Sequence, residues 1–448
     1  MYQTETKLEK LKLLLKILVP ILIYQFANFS AKFIDTIMTG NYSSKHLAGV
    51  AIAVSLWAPF FALVTGIVTA LVPMVGQLLG SKKEKAVESV VIQFVYVGIV
   101  LALVLIGVGS ITLQPILNMM NLEQVVHEVA SNYLRLLSIG LIPLLICSVL
   151  RSFIDALGYT NLSMALMLLL VPLNIFFNYS FIYGTNYFPE LGGAGAGLGT
   201  AISYWVLLIV SLIGLKFHPK LKQYHLFKLE KIDWSVWHEI FVIGLPLGFA
   251  IFVEYAVFAL VGLIMAKFGS TVIASHQAAM NFCDLAYAFP MSISSGLTII
   301  VAYEVGAKNH ESAHQYTKEA LGLAVGIACV TLFLVKQNSY WVANLYGTDP
   351  EFIRRTMSFL TYGLLFQLLD AIAAPLQGAL RGYKDTKIPF LLCITGFWLI
   401  GLPIGFLLDY LTQLGPYAYW IGCIVGMASN CLFMILRYLV IYKKYRMS

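Results

Sequence analysis

"MVGQLLGSKKEKA" (Met74–Ala86) and "IVAYEVGAKNHESA" (Ile300–Ala313) each run from an apolar segment through a glycine into a polar turn. The two glycines, Gly80 and Gly306, are 226 residues apart. A pattern that recurs at such a distance predicts that the chain contains two copies of one structural unit.

Two further pairs of segments support this duplication. Pro20 in "KILVPILIYQFANF" and Pro246 in "FVIGLPLGFAIFVEY" are also 226 residues apart. "DALGYTN", which begins at Asp155, resembles "GALRGYKDT", which begins at Gly378, at a spacing of about 224. The spacing is therefore nearly constant along the whole of each half.

The composition is that of a membrane protein. Of the 448 residues, 59% are hydrophobic and 11% are charged, whereas soluble domains carry about 25% charged residues. The apolar residues form blocks of about 20, the length of a helix that crosses a bilayer. We predict an all-α polytopic protein with twelve transmembrane helices, at 11–38, 47–76, 89–112, 127–150, 161–185, 193–216, 239–266, 277–300, 315–336, 354–380, 387–409 and 416–442.

The repeat divides these helices into six plus six. We predict an N-terminal lobe over 1–215, a cytoplasmic linker over 216–238 and a C-terminal lobe over 239–448. Because six is an even number, both lobes have the same orientation, related by a pseudo-two-fold axis along the membrane normal. Repeats of this kind are a transporter architecture.

The distribution of charge predicts the orientation. Of the 29 Lys and Arg residues, 22 fall in segments on the side of the N-terminus and 5 on the other side, while Lys32 and Arg135 lie within helices. Cytoplasmic loops carry such an excess. Both termini are therefore predicted to be cytoplasmic, and the net charge of +7 reflects topology and not a nucleic-acid partner.

Other functional classes lack their sequence signals. The six cysteines fall in apolar blocks without metal-ligand spacing. There is no GxxxxGK[ST] loop and no HExxH motif. We expect no cofactor and no enzymatic activity, and the first apolar stretch, which lacks a cleavage site, is expected to stay in the protein.

Polar residues within the first-half helices form a candidate ion site. Asp35 lies on the first helix, and Asn174 and Asn178 are four residues apart on the fifth, so they share one face. Thr200 on the sixth helix is a weaker addition. The alternatives are that Asp35 is solvated near a helix end beside Lys32, and that the asparagines only join helices.

The second half carries two carboxylates near mid-membrane. Glu254 and Asp370 each lie about sixteen residues into their predicted helices, about 24 Å from the helix start. They could share a cation such as Na⁺, or one could hold a proton while the other stays charged. Alternatively, both are protonated or bonded to different neighbours.

Pro20 is fifteen residues before Asp35 on the same helix. A proline within a helix removes a hydrogen bond and permits a bend. We therefore predict a hinge at Pro20 that couples the state of Asp35 to the shape of the helix.

The chain resembles the multidrug and toxic compound extrusion (MATE) family over essentially its whole length. The resemblance rests on "FIDTIMTG", "PLNIFFNYS", "FVEYAVF" and "FQLLDAIAAPLQGALRGYKDT", together with the six-plus-six repeat. The chain is most similar to the NorM-type bacterial branch, which has acidic residues in both lobes, unlike the DinF-like branch.

The resemblance implies a plasma-membrane antiporter that exports organic, often cationic, amphiphiles from two lobes around a central cavity, driven by H⁺ or Na⁺ entry. By position, Asp35 matches the family's coupling aspartate and Asn174 its partner. Glu254, Tyr287 and Asp370 match residues associated with cation binding. The mechanism requires only a monomer in the lipid bilayer.

Two departures from the family pattern stand out. Asn178 lies where some members carry aspartate, and Phe366 lies where a relative can present tyrosine. Three alternatives stay open: a lipid-linked oligosaccharide flippase of the same superfamily, a major-facilitator transporter, and a membrane enzyme or receptor. The loop "GSKKEKA" lacks the Asp and Arg expected of a major facilitator.

Overall fold

The computed structural model describes residues 6–185 and 187–446. Over these residues the chain is almost entirely helical, and the β-type pairing is a single isolated bridge between Thr185 and Phe188. Eleven helices are long and apolar enough to cross a membrane, and one bent pair makes a twelfth span. The predicted all-α fold with twelve spans is confirmed.

Twelve spans follow one another along the chain. They are α1 (Lys7–Tyr42), α2 (Ser44–Gly80), α3 (Glu84–Met119), α4 (Gln124–Ser138 and Leu141–Ala156), α5 (Thr160–Tyr183), α6 (Gly193–Phe217), α7 (Trp234–Met265), α8 (Ser270–Gly306), α9 (His310–Gln337), α10 (Pro350–Gly382), α11 (Lys387–Leu411) and α12 (Pro416–Arg446). Short helices at Lys222–Tyr224, Ala266–Phe268 and Ser339–Asn344 join them. Most spans are longer than predicted, because hydropathy marks only the apolar part of each helix.

The bend in α4 has a steric explanation. Its two segments meet at 54°, on either side of Ile139 and Gly140. A Cβ atom on Gly140 would lie 2.5 Å from the Cα of Ala201 on α6. The glycine therefore allows α6 to cross α4 in close contact where α4 is interrupted.

The backbone repeats with the same period as the sequence. Lys82, Gly158, Lys308 and Lys384 follow the ends of α2, α4, α8 and α10, and all have positive φ, between 58° and 78°. Each is embedded in the paired hydrogen bonds of a Schellman motif, such as Lys83 N to Leu78 O and Asn309 N to Glu304 O. Lys82 and Lys308 are 226 residues apart, as are Gly158 and Lys384. The third sequence pair therefore also has a spacing of 226, and not about 224.

The chain packs as two compact units. One is Ile23–Gly248, and the other combines the chain before Ile23 with Phe249 onward. The predicted lobes, 1–215 and 239–448, differ from these units at two places, since α1 and α7 each contribute to both units. The unit boundaries lie two residues after Pro20 and two residues after Pro246.

Hydrogen bonds attach the linker and the start of α7 to the first unit. Gln93 on α3 is fully buried; its amide donates to Lys231 O (2.9 Å) and accepts from Asp233 N (3.2 Å) and Trp237 Nε1 (2.8 Å). The Tyr96 hydroxyl contacts both Glu230 N and Glu230 O at 3.1 Å. These hydrogen bonds thus hold the linker along α3.

Small residues set the close packing within each unit. In the first, a Cβ atom on Gly248 of α7 would lie 2.3 Å from Leu63 O of α2. In the second, a Cβ atom on Gly378 of α10 would lie 2.3 Å from Ser294 O of α8. Interfaces between membrane helices favour such residues because they let backbones approach.

Candidate functional site

Asp35 is partly buried and is held by an amide side chain of the first unit. It lies seven residues before the end of α1 at Tyr42, and its Oδ1 accepts a hydrogen bond of 2.7 Å from Asn178 Nδ2. Asn178 is fully buried and Asn174 is 7% exposed, both on α5. The ammonium of Lys32 lies over the ring of Phe29, at 5.7 Å from its centre.

The Asn174 amide fits the cluster in two orientations. In one, its oxygen accepts from Asn178 Nδ2 and its nitrogen donates to Thr200 Oγ1, both at 3.0 Å. In the other, its nitrogen lies 3.0 and 3.1 Å from the two Asp35 carboxyl oxygens, and its oxygen accepts from Thr200 Oγ1. The second suits an ionised Asp35, because a carboxylate only accepts hydrogen bonds.

The small residues of α6 bring Thr200 to the asparagines. A Cβ atom on Gly199 would lie 2.2 Å from Asn178 Oδ1 and 2.6 Å from Asn178 N. Asn178 Oδ1 has no hydrogen-bond partner in the described part of the chain. The structure therefore brings together all four residues predicted in the first half, Asp35, Asn174, Asn178 and Thr200, and the spacing "GAGLGT" permits the contact.

The second unit contains the other three predicted site residues. Glu254 lies on α7, Tyr287 on α8 and Asp370 on α10. Glu254 interacts electrostatically with Asp370, and both interact with the hydroxyl of Tyr287. Asp370 is 4% exposed, and its Oδ2 has no hydrogen-bond partner among the described residues. An acid with an unused oxygen in such a place can accept a proton or a cation.

Phe366 belongs to an aromatic cluster. Its ring centre lies 5.4 Å from that of Phe258, edge to face, and 6.3 Å from that of Phe397. Phe366 is 9% exposed. The position one turn before Asp370 thus contributes apolar packing and no oxygen ligand.

Arg381 is a charged neighbour that the sequence analysis placed in a cytoplasmic segment. It lies in the last turn of α10, where its Nη2 donates to Ser294 Oγ on α8 at 2.8 Å. Its guanidinium interacts electrostatically with Glu254 and Tyr287. The repeat carried a signal that Arg381 lies within α10. Arg381 precedes Lys384 by the same number of residues as Asp155 precedes Gly158, so both belong to the helix before the turn.

Arg151 is a charged residue of the first unit, although the position that corresponds to Arg381 in the repeat is Asp155. It lies on α4, and its Nη1 donates to the Tyr24 hydroxyl at 3.0 Å. It also interacts electrostatically with Asp155, which is 6% exposed. Like Arg381, it lies within its helix, one residue beyond the end that was predicted for that span.

The oxygen atoms of the second unit are suited to a hard monovalent cation. Two carboxylates and a phenol offer oxygen ligands, which such cations prefer. No group of three or more His, Cys, Asp or Glu side chains suited to a metal ion occurs within the described residues.

A duplicated six-helix membrane protein with acidic residues buried in both halves has the architecture of a secondary transporter. The sequence profile of the MatE family matches residues 20–180 and 246–407, one match in each half. The chain belongs to the MATE family of transporters.

Relatives and solved structures agree with this assignment. "Probable multidrug resistance protein NorM" of Streptococcus pneumoniae is 52% identical over 445 residues, covering 99% of this chain and 98% of the relative. The protein of the same name from Bacillus subtilis is 41% identical over 446 residues, covering 99% of each. An outward-facing multidrug resistance MATE family transporter of the MOP superfamily superposes with a TM-score of 0.88 over 100% of both chains, at 18% identity.

Proposed function

We propose that this protein is a secondary multidrug exporter that couples inward movement of H⁺, Na⁺ or both to efflux of organic, often cationic, amphiphiles. The observation that carries the proposal is the cluster of Asp35, Asn178, Asn174 and Thr200, a carboxyl group held by amides inside a membrane unit. The names of the NorM relatives support drugs as substrates.

Protonation of Asp35 changes which orientation of the Asn174 amide is favourable. When Asp35 is ionised, the nitrogen of Asn174 faces the carboxylate and donates to it. When Asp35 is protonated, its O–H can donate to the oxygen of Asn174 in the other orientation, which also accepts from Asn178. The cluster is thus a two-state network in which one proton alters hydrogen bonds between α1, α5 and α6.

This two-state behaviour is what an antiporter requires. The two substrates must not be bound productively at once, so each must prefer a different state of the protein. An ionised Asp35 attracts an organic cation, and a neutral one does not. The coupling free energy is then the difference in drug affinity between the two protonation states.

The carboxylates of the second unit supply a second cation site in this proposal. Glu254 and Asp370 repel one another when both are charged, and this repulsion is relieved by Na⁺ or by a proton. Tyr287 adds a hydroxyl oxygen or its ring face. Arg381, as a fixed internal cation near Glu254, competes with the mobile one and limits its affinity.

Pro20 is proposed as the hinge that transmits the change. The helix α1 runs unbroken from Lys7 to Tyr42 through Pro20, but its first part packs with one unit and its remainder with the other. A bend near Pro20 would therefore change the direction of the segment that carries Asp35. Because proline has no N–H, the helical hydrogen bond from position 20 to the carbonyl of Lys16 is already missing and does not oppose a bend there.

The proposed setting is the plasma membrane, with both termini in the cytoplasm and a monomer as the working unit. The excess of Lys and Arg on the side of the termini supports this orientation. The alternative function, a lipid-linked oligosaccharide flippase, would bind a pyrophosphate and would need a cationic cavity. The acids within the spans, Asp35, Glu254 and Asp370, favour cationic substrates instead.

Ethidium efflux from proteoliposomes tests the proposal, with Na⁺ and pH gradients imposed separately. We expect wild-type protein to export ethidium under at least one gradient. Glu254→Gln should reduce the Na⁺-driven rate at least ~10-fold, which corresponds to about 1.4 kcal/mol of activation free energy. Glu351→Gln, which removes an acid paired with Arg355 at the surface, is the matched control. If neither gradient drives ethidium export by the wild type, the proposed function is wrong.

A further inference from the structure

A cavity of about 470 Å³ lies at one end of the second unit, between α9, the short helix Ser339–Asn344 and α10. Two cationic side chains, Lys336 and Arg354, line it together with the hydroxyl-bearing Ser358 and Thr361. Ile353 and Met357 add an apolar wall, and no carboxylate lines the cavity. None of the seven residues predicted for the two ion sites contributes to it.

The two cations of this cavity have no acidic partner within the described residues. Lys336 Nζ donates to Thr361 Oγ1 at 2.9 Å, and Arg354 takes part in none of the ion pairs there. The neighbouring acids are engaged elsewhere. Asp349 accepts from Phe352 N at the start of α10, and Glu351 pairs with Arg355 at 2.8 Å.

Cations are rare on this predicted outer side of the protein. Five of the 29 Lys and Arg residues lie there: Lys45, Lys267, Lys336, Arg354 and Arg355. Lys45 pairs with Glu123, and Arg355 with Glu351. Of the remaining three, two line this one cavity, so positive charge is concentrated where the topology otherwise avoids it.

The surroundings place the cavity at the level of lipid headgroups. Phe333 and Leu334, three and two residues before Lys336, are 62% and 53% exposed, as expected of a helix surface that faces acyl chains. Tyr340 and Trp341 on the short helix are 62% and 63% exposed. Exposed tyrosine and tryptophan at a helix end mark the interface between membrane and water.

We propose that this cavity binds the phosphate of an anionic phospholipid from the adjacent leaflet. The ammonium of Lys336 and the planar guanidinium of Arg354 supply two charge-assisted contacts to phosphate oxygens. The hydroxyls of Ser358 and Thr361 donate to the carbonyl oxygens of Arg354 and Met357 on α10, so the two cations carry the recognition. Ile353 and Met357 contact the glycerol and the first methylenes. The exposed apolar surface next to the cavity favours a lipid over a free phosphate ion, because only a lipid covers both.

Native mass spectrometry of the full chain tests the site. The protein is released from nanodiscs that contain equal amounts of dioleoyl-phosphatidylglycerol and dioleoyl-phosphatidylcholine, and retained lipids are counted. We expect the wild type to retain phosphatidylglycerol preferentially. Lys336→Gln and Arg354→Gln should each weaken its retention about fivefold, and the double variant about 25-fold, since a basic residue near an anionic surface contributes about that factor.

Two further variants serve as controls for the lipid retention measurement. Lys267→Gln removes another predicted outer cation outside the cavity and should leave retention unchanged. The charge-keeping double variant Lys336→Arg with Arg354→Lys should keep phosphatidylglycerol, which would show that the loss of charge, and not substitution at these two positions, weakens retention.

Two outcomes would overturn the proposal. One is that the double glutamine variant retains phosphatidylglycerol as the wild type does. The other is that 10 mM inorganic phosphate displaces the lipid from wild-type protein as readily as added phosphatidylglycerol does, because the ligand would then be a free anion.

Discussion

At the scale of the residue, the position of Asp35 depends on a glycine that it does not contact. A carboxyl group inside a membrane unit needs hydrogen-bond donors, and Asn178 and Asn174 supply them. Gly199 lets α6 approach Asn178 so closely that any side chain at position 199 would collide with it. The geometry of the ion site is thus set partly by the absence of a side chain.

Gly199→Ala should destabilise the protein and displace Asn178. The new Cβ atom would lie 2.6 Å from Asn178 N and 2.2 Å from its Oδ1, and overpacking of this kind costs about 1–3 kcal/mol. Thermal unfolding in detergent measures the loss, and ethidium transport should fall with it. Gly214→Ala on the same helix has no atom within 4 Å and should be neutral or stabilising. Equal shifts for both variants would contradict this account.

The sequence predicted the candidate site better than its surroundings. Asp35, Asn174, Asn178 and Thr200 could be grouped in advance because polar residues in apolar helices must find partners. The Asn174 amide orientation could not, since it depends on distances of about 3 Å. Arg381 was assigned to a turn because a charge at the end of an apolar block ordinarily marks solvent.

At the scale of the element, the linker between the halves is held in place by specific contacts with α3. Gln93 alone makes three hydrogen bonds to the segment from Lys231 to Trp237, and Lys228 pairs with Glu88 at 3.3 Å. These contacts fix the start of α7 to the first unit. Hydropathy could predict that this segment is polar, but not that it is bound along a helix, because long-range hydrogen bonds leave no local pattern.

Gln93→Leu should release the linker from α3. The apolar side chain would leave Lys231 O, Asp233 N and Trp237 Nε1 without partners, at a cost of about 1 kcal/mol or more for each. We expect trypsin to cut the lysine-containing linker at least ~10-fold faster in inside-out vesicles. Gln114→Leu on the same helix removes a hydrogen bond to Ser131 and should leave the rate unchanged. Equal rates of trypsin cleavage for Gln93→Leu and wild type would show that attachment of the linker does not depend on Gln93.

At the scale of the whole molecule, the duplication was predictable because the same repeat is visible in the sequence and in the backbone conformation. Four helix ends carry left-handed residues at matched positions, and three of the four are lysines, which tolerate that conformation poorly. The division of packing was not predictable, because it depends on where α1 and α7 find their neighbours. The repeat specifies where the helices lie along the chain. The contacts between helices specify which of them form one compact unit.

The two halves nevertheless carry different chemistry. The candidate ion site of the first holds one carboxyl among amides, and that of the second holds two carboxyls beside a phenol and a guanidinium. Duplicated units that diverge in this way can specialise for different ions. In the proposed function, Asp35 is required for drug export under either gradient, and Glu254 and Asp370 add a site for Na⁺ or a further proton.

The most direct test is ethidium efflux by Asp35→Asn in proteoliposomes, under a pH gradient and a Na⁺ gradient in turn. The account predicts a rate at least ~10-fold below that of the wild type under either gradient, because the variant cannot change its charge. Glu123→Gln, which removes a surface acid paired with Lys45, should transport normally. Transport by Asp35→Asn at the wild-type rate under both gradients would contradict the account, since Asp35 would then be only a hydrogen-bonded residue of α1.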